Sequence, residues 1–125
     1  MKTELLVGLA GATGAICRIA ISELFTGVLT FPIATLAVNL CGTLLLCALS
    51  AGAIRKVSSN VGVQTAIMTG FLGSFTTFSA FSYETVTLFQ QGAVWIAIFY
   101  SMASIFGGLA IGFMGMTIGR KSVGT

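Results

Sequence analysis

The chain is 125 residues long, 56% hydrophobic and only 7% charged, whereas a soluble domain carries roughly 25% charged residues to keep its surface wetted. Six basic and three acidic residues leave uncharged stretches at 5–17, 24–54, 57–83 and 85–119. Three of these exceed the roughly 20 residues that cross a bilayer core as helix. A soluble enzyme, a nucleic-acid module and a disordered tail are excluded. The expectation is an all-α integral membrane protein, a single membrane domain over 1–125.

Four hydrophobic segments follow one another. The first, about 4–25, contains Gly8, Gly11 and Gly14 with Cys17 and Arg18 near its far end. Lys2 suits the start of a secretory leader, but the apolar run continues without a clear cleavage site, so no cleaved leader is expected. A break from Thr26 to Phe31 ends at Pro32, and proline fits the first turn of a helix because its missing N–H would be unpaired there anyway. The second segment, about 32–54, carries Asn39 and stops at Arg55-Lys56. Val57-Ser58-Ser59-Asn60 is a polar turn with capping residues. The third, about 61–89, leads to the turn Gln90-Gln91-Gly92, and the fourth covers about 93–119. Such short connections predict antiparallel neighbours in a four-helix bundle. With four crossings, Lys2, Arg55, Lys56, Arg120 and Lys121, five of the six basic residues, share one side. The excess of Lys and Arg on cytoplasmic loops then places both termini in the cytoplasm.

Small-xxx-small patterns recur at Gly8/Ala12, Gly11/Ala15, Gly108/Gly112 and Gly115/Gly119. Lipid supplies no hydrophobic drive for helix association, so small residues that let backbones approach must supply packing. They serve packing within the chain or between copies. Cys17, Cys41 and Cys47 have neither disulfide nor zinc spacing, and the chain has no histidine.

The densest polar stretch lies in the third segment, where Ser74, Thr76, Thr77, Ser79, Ser82, Tyr83 and Thr85 follow Gly73. Hydroxyls at bilayer depth must face protein or water, and the pattern predicts a helix broken near Gly73–Thr77. Carbonyls exposed at such a break can hold a cation. Phe75, Phe78 and Phe81 recur every three residues, a spacing that fits core or lipid contact as well as a face of positive ring edges toward an anion. Asn39 is a costly amide at mid-span, either a clamp between helices or a donor to a ligand. Arg18 and Glu84 fit snorkelling or helix-end positions and also functional ones. Tyr100, Ser101 and Ser104 give the fourth helix a polar face.

Three strings carry a resemblance over essentially the whole chain: Gly11-Ala12-Thr13-Gly14-Ala15-Ile16-Cys17-Arg18, then Asn39 followed by Gly42, then Gly70 to Glu84. They resemble the CrcB/Fluc family of fluoride channels. The resemblance implies an antiparallel, dual-topology homodimer with two fluoride pores, a multi-pass protein of the bacterial inner membrane that exports fluoride passively. It implies pore rings at Phe78 and Phe81, an amide donor at Asn39, and adjacent hydroxyls at Thr77 and Ser79. A polar track at Tyr100 and Ser104 ends at Gly108, where some members carry a hydroxyl. Arg18 and Glu84 match vestibule and auxiliary positions. A structural sodium ion (Na+) at the dimer interface would be held by the backbone carbonyls of Gly73 and Thr76. The implied partners are fluoride, lipid and a second copy of the chain; no enzymatic activity, catalytic residue or nucleic acid is expected. The one-sided basic residues run against insertion in both orientations, which leaves a pair of oppositely oriented sister chains as the alternative dimer. A small multidrug exporter would need an acid deep in the first helix, where only Glu4 and Glu23 stand at the ends. A non-transporting assembly subunit fits the glycines but gives no reason for Asn39 or the polar stretch.

Overall fold

The computed structural model describes residues 2–27 and 30–124. Val28 and Leu29 of the first connection, with Met1 and Thr125, lie outside the described residues. The described chain is all helical. Helix α1 (Lys2–Leu24) closes on a turn that needs Gly27 at φ 76°. Helix α2 (Ile33–Val57) follows Pro32. It widens to a π-type turn at Leu49–Ala53, where Gly52 takes φ 128°, a conformation closed to side chains with a Cβ. Helix α3 (61–75) starts at Asn60, whose Oδ1 accepts the Val63 N–H at 3.2 Å. It carries a second π-type turn at Ala66–Leu72. Helix α4 (Phe78–Gln90) and helix α5 (Val94–Val123) complete the fold, joined through Gly92 at φ 78°.

α1, α2 and α5 are each long and apolar enough to cross a membrane. The third crossing is divided. At 1.5 Å per residue α3 reaches about 22 Å and α4 about 20 Å, so neither spans a core of about 30 Å alone. Thr76 (φ −75°, ψ 151°) and Thr77 (φ −148°, ψ 121°) are extended between them. The interruption thus falls inside the expected Gly73–Thr77 window.

The most extensive packing joins alternate crossings rather than consecutive ones: α1 with α3 of the divided third crossing, and α2 with α5, the fourth. Glycine dictates both pairs. A Cβ on Gly70 would come within 2.6 Å of the Val7 carbonyl oxygen, and one on Gly14 would overlap that of Phe71. On the other seam a Cβ on Gly115 would lie 2.5 Å from the Leu44 oxygen, and one on Gly119 would overlap that of Ala48. The Gly115/Gly119 pattern therefore serves packing within the chain. Gly8 and Gly108, by contrast, face open space. Contacts rise together in number along each pair (Thr3 by Gly62 and Ala10 by Gly70; Leu40 by Gly107 and Ala51 by Gly119), so both pairs run parallel. Thr3 beside Gly62 and Val123 beside Gly52 bring the two chain ends and the 58–60 turn to one end of the bundle. The basic residues expected on one side are gathered there.

Val38, Leu72, Ala97 and Tyr100 are almost fully buried, while Trp95, Phe99, Phe106 and Phe113 stand exposed. Outward aromatic and aliphatic side chains suit a solvent of hydrocarbon. The protein is a multi-pass membrane protein.

Candidate functional site

The site grows out of the break between α3 and α4. Thr77 N–H, which a continuous helix would give to Gly73 O, instead donates to Asn39 Oδ1 at 2.7 Å. Asn39 Nδ2 donates to Thr77 O at 2.9 Å. The amide of α2 thus mimics a peptide partner for one extended residue. Ala80 N–H, which would return to Thr76 O, donates to Thr77 Oγ1 at 3.2 Å as a helix cap. Thr77 Oγ1 and Ser79 Oγ pair at 3.2 Å, and Thr76 Oγ1 donates to Leu72 O at 3.0 Å. Arg18 Nε donates to Ser74 O at 3.2 Å. The diverted N–H groups leave the Gly73 and Thr76 carbonyls without their helical donors, and Gly73 is exposed. Backbone carbonyl oxygens suit a hard monovalent cation, so these two residues fit the sodium ion that the family resemblance implies.

Beside the break lies a cleft of about 370 Å³ between α2, α4 and α5. Asn39, Thr43, Thr77, Phe78, Phe81 and Ser104 line it, with Cys47 and Gly108 at positions further along α2 and α5. None of its lining residues is charged. The Phe78 and Phe81 rings lie 5.7 Å apart at 41°. Phe78 is 79% exposed, so the cleft wall is open at this ring in a single chain. Five of the expected pore residues (Asn39, Thr77, Phe78, Phe81 and Ser104) therefore converge on one space.

Tyr100 and Ser79 stand outside that lining. Tyr100 is fully buried, its ring 5.2 Å from Phe81 and edge-on to Phe31 at 5.5 Å. Its hydroxyl donates to Glu84 Oε2 at 2.7 Å, while Thr35 Oγ1 donates to Glu84 Oε1 at 2.6 Å. Glu84 and Thr35 line a second cavity of about 290 Å³ with Ser22 and Thr26. Arg18 lines neither cavity. Thr35 and Thr43 were not anticipated as site residues. The signal for them is the spacing Thr35-Asn39-Thr43, every fourth residue on one face of α2.

A charge-free, mostly apolar cleft with a few convergent polar groups, set at a helix break among membrane-crossing helices, defines a membrane protein built around an intramembrane site. Residues 5–116 match the family described as "CrcB-like protein, Camphor Resistance (CrcB)", and the chain belongs to that family. It is 44% identical over 117 residues to "Fluoride-specific ion channel FluC 2" of Listeria innocua, covering 94% of this chain and 90% of that one. Against "Fluoride-specific ion channel FluC 1" of Desulfitobacterium hafniense the identity is 42% over 108 residues, covering 86% and 95%. With "Fluoride-specific ion channel FluC" of Agrobacterium fabrum it is 36% over 118 residues, covering 93% and 94%.

Proposed function

We propose that this protein is a fluoride-selective channel of the bacterial inner membrane that lets fluoride leave the cytoplasm passively and so limits its toxicity. The reading is carried by the convergence of Asn39, Thr77, Phe78, Phe81 and Ser104 on one uncharged cleft. Fluoride gives up its water only where donors replace it at close range. Asn39 Nδ2 carries two hydrogens; one is engaged by Thr77 O, and the other is the donor assigned to the ion. The Ser104 hydroxyl and the positive ring edges of Phe78 and Phe81 continue the path.

Magnitudes favour neutral donors. A full positive charge 3 Å from the anion, at an effective dielectric of 20, attracts by about 5.5 kcal/mol, which lengthens the dwell about ten-thousand-fold. A neutral hydrogen bond contributes about 0.5–1.5 kcal/mol net, so binding stays shallow enough to release. Glu84 borders the route at the second cavity, its carboxylate held by the Thr35 and Tyr100 hydroxyls. Arg18 is assigned to the approach rather than to the cleft.

The exposed Phe78 and Gly73 support pairing of two chains in opposite orientations, each pairing completing two pores. A sodium ion at the interface would tie the breaks together through the Gly73 and Thr76 carbonyls. Expression in fluoride-sensitive cells tests the function: the wild type restores growth in fluoride and Phe78→Ile does not. Equal rescue by Phe78→Ile would overturn the pore assignment. Labelling of tags at either terminus is expected to find both orientations, and a single orientation contradicts the homodimer.

A further inference from the structure

The N-terminal glycine-arginine string has a structural consequence that reaches the break. Gly11, Gly14 and Arg18 lie at i, i+3 and i+7, one face of α1. A Cβ on Gly11 would stand 3.1 Å from Ser74 Oγ, and one on Gly14 would overlap Phe71 O, so this face seats directly on the last turns of α3. That seating carries the half-buried Arg18 to the end of α3, where Nε donates to Ser74 O. A guanidinium donor makes a stronger bond than a neutral one.

Ser74 lies between the two carbonyls assigned to the cation. Gly73 and Ser74 both belong to the helical end of α3, so anchoring the Ser74 peptide also fixes the direction of the Gly73 carbonyl. Thr76, whose ψ of 151° turns its carbonyl out of the helix, follows two residues after the same anchor. We propose that Arg18 is a positioning residue for the cation site: it occupies the Ser74 carbonyl, holds the end of α3 in place, and leaves Gly73 and Thr76 as the ligand pair. This rests on the sodium reading above. It gives the glycine face and the arginine one joint task, docking α1 so that its cation reaches a peptide oxygen beside the break.

Arg18→Lys isolates the effect. Lysine keeps the charge but puts a carbon where Nε donates, with its ammonium one atom further along. The purified full-length protein is melted across a series of sodium concentrations at constant ionic strength, with N-methylglucamine as the replacing cation. The midpoint of sodium-dependent stabilisation is then read within each variant. Arg18→Lys is expected to raise that midpoint about tenfold, equivalent to about 1.4 kcal/mol, and Arg18→Met to raise it in the same direction. A merely structural role lowers melting equally in both cations and leaves the midpoint where it was; that result overturns the assignment. Should Arg18→Lys not fold, Arg18→Met is judged by the same criterion. Wild-type protein that melts identically in sodium and N-methylglucamine overturns the sodium site itself, and this assignment with it. A wild-type sodium effect left intact in the variants overturns Arg18 alone.

Discussion

Asn39→Asp is the most informative substitution, because it is nearly isosteric and divides the two tasks of this side chain. The retained Oδ1 still accepts Thr77 N–H, which it does at 2.7 Å in the wild type. The group that donates to Thr77 O at 2.9 Å becomes an oxygen, so that bond is lost. A hydrogen bond between membrane helices is worth about 0.6 to 2 kcal/mol, and the structural cost is of that order. Conduction suffers more. An ionised carboxylate 3 Å from fluoride, at an effective dielectric of 20, repels it by about 5.5 kcal/mol. Discounting for relaxation and for a partly protonated acid, fluoride flux is expected to fall at least about a hundredfold, or about 2.8 kcal/mol. The assay is fluoride efflux from proteoliposomes, with elution volume and melting temperature measured on the same protein. A folded variant whose flux stays within threefold of the wild type would refute the placement of Asn39 in the path.

Phe78→Ile is expected to abolish most fluoride flux while leaving the fold of each chain intact, because the ring packs against little of its own chain; efflux and melting measured together separate the two effects. Gly119→Leu should prise α5 from α2, since even a Cβ there overlaps Ala48 O. Overpacking costs about 1–3 kcal/mol or more, read as lost folded protein in size-exclusion chromatography, whereas Gly8→Ala, in open space, should change nothing. Thr35→Val removes one of two hydroxyls from Glu84 and is expected to lower stability by about 1 kcal/mol, measured by thermal melting. Gly108→Ser adds a hydroxyl where no atom lies within 4 Å of the new Cβ; it should fold normally and keep its fluoride flux.

The sequence makes the membrane class plain because nine charges cannot wet a chain of 125 residues, and the break shows itself through Gly73 and the run of hydroxyls behind it. Asn39 and the phenylalanines were legible as candidates, but not their geometry. That Asn39 clasps both polar groups of Thr77 depends on where α2 lies against the break, and no local pattern reports that distance. Consecutive crossings run antiparallel as the short loops require, but the closest packing falls between parallel alternate crossings, because Gly14, Gly70, Gly115 and Gly119 allow backbone contact that loop length alone does not specify. Thr35 was overlooked because a single threonine on an apolar helix is ordinary, and its meaning appears only beside Glu84 and Tyr100. The division of Tyr100 from Ser104, one turned into the core and one into the cleft, is likewise a matter of packing rather than of spacing.

The central claim is that an uncharged cleft passes fluoride and excludes other halides. Efflux from proteoliposomes loaded with equal concentrations of fluoride and chloride tests it most directly. Rapid fluoride release with chloride retained over the same interval is the result this account predicts. Equal release of the two ions, or retention of both by correctly folded protein, would contradict it.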